Sequence, residues 1–240
     1  MYTVSAELRA RDVERTHLGN AELVILDLDV ALYSSTATTL GAVRRAVDDL
    51  NAKHGEVADM PGDELILSGI GSTREQFARK VFPALPDRYI DEMDGLIWHW
   101  ERTLVDDGRG ALFPGAEPAL EDMRQMGLKL AVATNAGAGY MNHILDHFGI
   151  RHLFDDARCA GEERTQDKGE LIGRVLSHLA VAPEHTVMVG DRSTDIAGAR
   201  CAGTHAVGCT WGFASRDELS EADRVVDNFS ELTRLLEVWP

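Results

Sequence analysis

Basic residues are scarce in this chain. Only 24 lysines and arginines stand against 40 aspartates and glutamates in 240 residues, a formal net charge of −16. Such a surface repels phosphate backbones and anionic lipid headgroups, so neither nucleic acid nor a membrane is an expected partner. Cysteine is scarce too. Cys159, Cys201 and Cys209 match no zinc-binding spacing, and they read as reduced thiols acting as small core hydrophobes, in keeping with a cytoplasmic protein. No run of about 18 apolar residues occurs, which excludes an apolar membrane-spanning helix. The opening stretch up to His17 has no apolar core of the kind a secretion signal needs. The nine histidines show no metal-binding spacing such as HExxH. Gly137-Ala138-Gly139 lacks the third glycine of a dinucleotide fingerprint and reads as a loop that opens a helix.

What is present is ample apolar material. Alanine, aliphatic, aromatic and cysteine residues make up 44% of the chain, enough for a proper core. Leu23-Val24-Ile25-Leu26 is apolar on both faces, as a buried parallel strand requires. Two further runs of this kind are Leu128 to Ala133 and Thr186 to Val189. Weaker strand signals lie at Ala157 to Ala160, His205 to Cys209 and Arg224 to Val226. Helical patterns separate them at Ala116 to Met126, Gly139 to Phe148, Lys168 to Leu179 and Thr194 to Ala202. In the first of these Leu120 and Met123 point inward and Gly127 is the stop. This alternation predicts an α/β fold with a doubly wound, Rossmann-like parallel sheet.

Residues 36–108 break the alternation. Leu40, Val43, Val47 and Leu50 recur at helical spacing, as do Ile90, Met93, Ile97 and Trp100. They predict an all-helical insertion after the first strand, with residues 1–35 and 109–240 forming the α/β core. Residues 1–20 read as a short helix or an ordered arm. Trp98-His99-Trp100 reads mainly as packing, and Arg74 and Lys80 mainly as solvated surface.

Three strands end in polar residues: Asp27 and Asp29, then Thr134 and Asn135, then Asp191. In an open parallel sheet, ligands bind beyond the carboxyl ends of the strands, so these residues are expected to converge. Carboxylates brought together repel unless a cation or a proton lies between them. Magnesium takes oxygen ligands, and Asp27 and Asp191 are the candidate carboxylates. Asp29 is placed to act as general acid and then general base. The Thr134 hydroxyl and nearby backbone N–H groups suit phosphoryl oxygens. Of the four lysines, Lys168 alone opens a helix of the sheet domain, just before the third strong strand. A positive charge is mildly unfavourable at a helix N-terminus, which favours a functional reason for it.

The ordered set resembles the haloacid dehalogenase (HAD) superfamily. Asp27-Leu28-Asp29 resembles its first motif, Ala131 to Asn135 its second, Lys168 its third and Gly190-Asp191 to Asp195 its fourth. The text around Phe113-Pro114-Gly115, Ala199 to Gly203 and Thr210 to Phe213 resembles the phosphoglycolate-phosphatase-like branch. The resemblance implies a phosphatase that hydrolyses a small phosphorylated metabolite with Mg2+, as a monomer or homodimer. It implies Asp27 as nucleophile, Asp29 as acid/base, and Asp27, Asp29 and Asp191 as metal ligands. Thr134, Asn135 and Lys168 would bind phosphate, Asp195 would support Lys168 or metal-bound water, and the helical insertion would be a mobile cap. A phosphosugar mutase on the same scaffold and a degenerate, non-catalytic binding protein are the alternatives. The sequence departs from the family at Val30-Ala31, where glycine and threonine are usual. Val30 is β-branched, so a positive φ there would be strained.

Overall fold

A computed structural model describes residues 21–165, 167–213 and 215–239. The arm expected at residues 1–20 lies outside them. Strand β1 (Leu23–Leu26) is buried on both faces. Successive side chains alternate across a strand, and here the two faces feed two different cores. Val24 and Leu26 join one apolar cluster, while Leu23 and Ile25 join another. Each such side chain contributes about 1.5–3 kcal/mol by leaving water.

Four more strands run parallel to β1 in the same sheet as neighbours or near-neighbours: β4 (Lys129–Thr134), β5 (Asp156–Cys159), β6 (Thr186–Gly190) and β7 (His205–Cys209). With β8 (Arg224–Val226) they form a six-stranded sheet of order β5-β4-β1-β6-β7-β8. The chain moves outward from β1 through β4 to β5, then crosses back to β6 on the other side of β1. The strand order therefore reverses around β1, which is where such sheets bind ligands. The doubly wound parallel sheet expected from the sequence is the observed fold.

Helices cover both faces. Side chains of α5 (Ala116–Gln125), α6 (Ala138–His147) and α10 (Phe229–Glu237) fill the first cluster. Those of α8 (Lys168–Leu179) and α9 (Ser193–Ala202) fill the second. The one-turn helix α7 (Ala160–Glu163) follows β5. Leu120 and Met123 are fully buried, and Gly127 takes a positive φ of 84° after α5, as a helix stop does.

Between β1 and α5 lie a small hairpin, β2 (Tyr33–Ser34) with β3 (Ala111–Leu112), and four α-helices. These are α1 (Thr36–His54), α2 (Asp63–Gly69), α3 (Arg74–Val81) and α4 (Ile90–Asp106). They carry a third core: Val43, Val47 and Leu50 of α1 pack with Met93, Ile97 and Leu104 of α4.

Two features depart from the sequence reading, and a third settles a point it raised. The hairpin was not legible, because β2 and β3 are two residues each and carry no period; α10 was not among the expected helices, although Phe229, Leu232 and Leu236 recur at helical spacing. Cys159 and Cys209 are buried as expected, but Cys201 is exposed on α9. Val30 does adopt a positive φ, 63°, and it is buried there.

Candidate active site

Parallel register places the key residues before any side chain is considered. Leu26 of β1 faces Val132 of β4 on one side and Val189 of β6 on the other. Two residues beyond those partners stand Thr134 and Asp191. Both therefore flank the chain as it leaves β1 at Asp27, whose N–H donates to the Val189 carbonyl at 2.9 Å.

Lys168 arrives from elsewhere. It is the first residue of α8, whose start is capped by the Asp167 carboxylate accepting from Gly169 and Glu170 N–H. Its stem passes α9 at Gly198, where an added Cβ would overlap the Lys168 side chain. The ammonium then donates to Asp27 Oδ1 at 2.6 Å and pairs with Asp195 Oδ1 at 2.9 Å. Asp27, Lys168, Asp191 and Asp195 are all buried.

The charges do not balance. Asp27, Asp191 and Asp195 offer oxygens within 4.8 Å of one another, and one ammonium sits among them. Burial pushes the Asp27 carboxyl well up, against the pull of Lys168. Burial, with Asp195 adding to it, pushes Asp191 up to about 7. Burial would lower the Lys168 ammonium, but Asp195 and Asp27 outweigh that and hold it charged. A set of hard carboxylate oxygens in excess of its counter-charge is the donor chemistry that a divalent cation of the magnesium type satisfies. Asp191 also accepts from Phe213 N–H at 3.0 Å, and an added Cβ at Gly212 would overlap its side chain.

Asp29 sits apart from this cluster, over a cavity of about 160 Å³ between the helical layer and the sheet. Its carboxylate accepts a 2.6 Å hydrogen bond from the Tyr140 hydroxyl. Burial raises the Asp29 carboxyl above its ordinary value, while that hydrogen bond pulls it down. Glu101 of α4 and Trp98 line the same cavity, and burial pushes Glu101 up to about 8, with the Asp29 charge adding to the effect.

Thr134 is buried, its Oγ1 accepting from Ala136 N–H at 3.2 Å, so its own proton is left for another acceptor. Asn135 is turned elsewhere: its amide donates to the Gly71 carbonyl of the helical layer at 2.8 Å. Arg74 is exposed, as expected, and it also pairs with Asp94 at the cavity wall. Tyr140 and Glu101 carry no mark in the sequence. Each sits in an ordinary helical pattern, and only the packing of α6 and α4 turns them toward Asp29.

The family profile of haloacid dehalogenase-like hydrolases matches residues 24–209. The chain belongs to this family. The haloacid dehalogenase-like hydrolase is 26% identical over 228 residues to a phosphoglycolate phosphatase of Colwellia psychrerythraea, covering 90% of this chain and 96% of that protein. It is also 29% identical over 206 residues to the tyrosine-protein kinase PtkA of Mycobacterium tuberculosis, covering 85% of this chain and 67% of that one. A crystal structure of a predicted phosphoglycolate phosphatase from Haemophilus somnus shares the fold, with a TM-score of 0.80 at 21% identity over 91% of this chain and 99% of that one. Among the described residues of this hydrolase, no helix is long and apolar enough to cross a membrane.

Proposed function

We propose that this hydrolase removes phosphate from a small phosphomonoester through an aspartyl-phosphate on Asp27. The observation that carries the reading is the buried Lys168–Asp27 pair at the mouth of β1, with Asp191 and Asp195 alongside. A carboxylate held by an ammonium at 2.6 Å is fixed in orientation, and the ammonium opposes the burial that would neutralise it.

Asp27, Asp191 and the Asp29 backbone carbonyl would hold Mg2+. When bound, the ion would offset the charge of the carboxylates and of the incoming phosphate. The chain's own residues do the rest. Lys168 and the Thr134 hydroxyl hold phosphoryl oxygens. The Asp27 carboxylate attacks phosphorus, forming a P–O bond as the ester P–O bond breaks. The Asp29 carboxyl gives its proton to the departing oxygen, and the resulting carboxylate then takes a proton from the water that cleaves the aspartyl-phosphate. Asp195 keeps Lys168 in place. Tyr140 keeps Asp29 in place.

Residues 36–108 would act as a cap on a core of residues 1–35 and 109–240. The cap would open for substrate and close to exclude bulk water. In the closed form, the Asn135–Gly71 hydrogen bond joins the two parts.

The test is a panel of phosphomonoesters with and without Mg2+, for the wild type and Asp27→Asn. Magnesium-dependent phosphate release that Asp27→Asn abolishes is the expected result. Equal release by both proteins would overturn it. The panel includes phosphoglycolate and, as phosphosugar mutase substrates, hexose phosphates. It also includes ATP with a tyrosine-containing acceptor peptide, because one relative bears the name of a tyrosine kinase.

A further inference from the structure

We infer a second metal site, for a Zn2+-class ion, built from Asp106, His143 and His147 at the seam between the helical layer and the sheet domain. It shares no residue with the carboxylate cluster around Lys168.

His143 and His147 are four residues apart on α6, so both rings lie on one helix face. Asp106 is the last residue of α4 and faces them from the helical layer. Asp106 Oδ1 lies 3.1 Å from His143 Nε2 and 3.6 Å from His147 Nδ1. With metal–ligand bonds near 2.1 Å, the edge of a tetrahedral zinc site is about 3.4 Å, so these two separations bracket the required value. The three donor atoms lie within 4.8 Å of one another.

A plain ion pair does not account for this arrangement. His143 Nε2 is sealed from solvent and has no hydrogen-bond partner, although a carboxylate oxygen is 3.1 Å away. A buried ring nitrogen without a partner is costly. A ligand nitrogen directs its lone pair at a point shared with the other donors, and not at the neighbouring donor itself. Trp98 packs edge-on against the His143 ring at 5.9 Å and fixes its plane.

The surroundings favour a cation. α4 ends at Asp106 and α6 ends at His147, so the negative ends of two helix dipoles meet here. Asp106 is 52% exposed, which leaves a route for an ion to enter. Two imidazoles and one carboxylate suit zinc, with water as a fourth ligand, better than they suit magnesium, which prefers oxygen.

The site would clip α4 onto α6. Tyr140, which holds Asp29, lies on α6 one turn before His143, and Trp98 and Glu101 of the cavity wall lie on α4. A bound ion would hold the helical layer closed. With residues 36–108 acting as a cap, it would then slow turnover, a consequence that rests on the proposed phosphatase function.

The binding test does not depend on that function. Chelator-treated full-length protein is held in excess Mg2+, which occupies the carboxylate cluster, and titrated with ZnCl2 by calorimetry. We expect one Zn2+ per chain, with micromolar or tighter affinity. His143→Ala and His147→Ala should each weaken binding about 100-fold or more, and Asp106→Asn should weaken it as well, since each loses a direct ligand. Asp191→Asn should retain the event. Co2+ in place of Zn2+ should give visible absorption bands of a tetrahedral site, absent in the histidine variants. Thermal melts in chelator check that each variant is folded. Absence of Zn2+ uptake by the wild type, or uptake unchanged in both histidine variants, would overturn the site. Zinc binding without slower phosphate release would leave the site standing and remove the clip.

Discussion

The ammonium of Lys168 lies 2.6 Å from Oδ1 of Asp27, although 141 residues separate them in the chain. Both side chains are buried, so each depends on the other for its charge. Removing one member of such a pair strands the remaining charge and costs about 3–5 kcal/mol. Lys168→Met should therefore lower Tm by roughly 6–20 °C, at about 2–4 °C per kcal/mol for a chain of this size. It should also abolish phosphate release. Millimolar Mg2+ should restore part of the Tm, because a cation then answers Asp27, Asp191 and Asp195. A Tm in chelator equal to that of the wild type would contradict the charge argument.

Tyr140 reaches the site through Asp29, to which its hydroxyl donates. Its loss should act on orientation. Tyr140→Phe keeps the ring against Tyr33 and Trp98 and removes one hydrogen bond to a carboxylate. That bond is worth about 1.5–3 kcal/mol, so kcat should fall about ten-fold or more, while KM changes little. Steady-state kinetics on the best substrate of the panel checks the split. An unchanged kcat would remove Tyr140 from the positioning role.

Val30 sits at φ 63°, a region that costs a β-branched residue of order 1–3 kcal/mol. Removing its side chain therefore has two opposite consequences: strain is relieved, and buried apolar area is lost. Comparing glycine with alanine separates them. At an ordinary position alanine stabilises relative to glycine by about 0.4–1 kcal/mol. Here the order should reverse, with Val30→Gly melting above Val30→Ala by about 1 kcal/mol equivalent, because alanine keeps a Cβ in the left-handed region. Alanine melting higher would show that the turn relaxes without strain.

Glu101 gives a pH dependence with a defined sign. Burial, then the Asp29 charge, push its carboxyl from 4.5 up to about 8. A carboxyl whose pKa is higher in the folded state favours folding in its neutral form. Its contribution is full below the unfolded value near 4.5 and is lost as pH rises through about 8. Glu101→Gln cannot ionise. The variant should match the wild type near pH 5 and melt several degrees higher at pH 9, since a tenfold change in an acid's ionisation constant corresponds to about 1.4 kcal/mol. Melting curves at the two pH values decide it. Parallel behaviour at both would mean that Glu101 reaches solvent freely.

Much of the scaffold could be read along the chain. Leu23 to Leu26, Leu128 to Ala133 and Thr186 to Val189 are apolar on both faces, and only a strand covered on both sides needs that pattern. Asp27, Thr134 and Asp191 follow such runs directly, so their meeting at the ends of neighbouring strands was implied once the sheet was parallel. Lys168 and Asp195 were legible because a charged residue in the first turn of a helix is a local misfit or a local cap. The hairpin of β2 and β3 was not legible, because pairing of two residues with two others leaves no period.

Local order along the chain thus determined the sheet, its flanking helices and the carboxylate-rich mouth of β1, because burial on both faces and the ends of strands leave marks within a few residues of one another. Tertiary structure alone decided that Tyr140 reaches Asp29, that Glu101 and Trp98 wall the same cavity, and that Asp106 meets His143 and His147. Those contacts join elements whose own periodicities are satisfied in many orientations. Which side chains meet across them is set by how α4 and α6 pack, and packing geometry is a property of the folded whole.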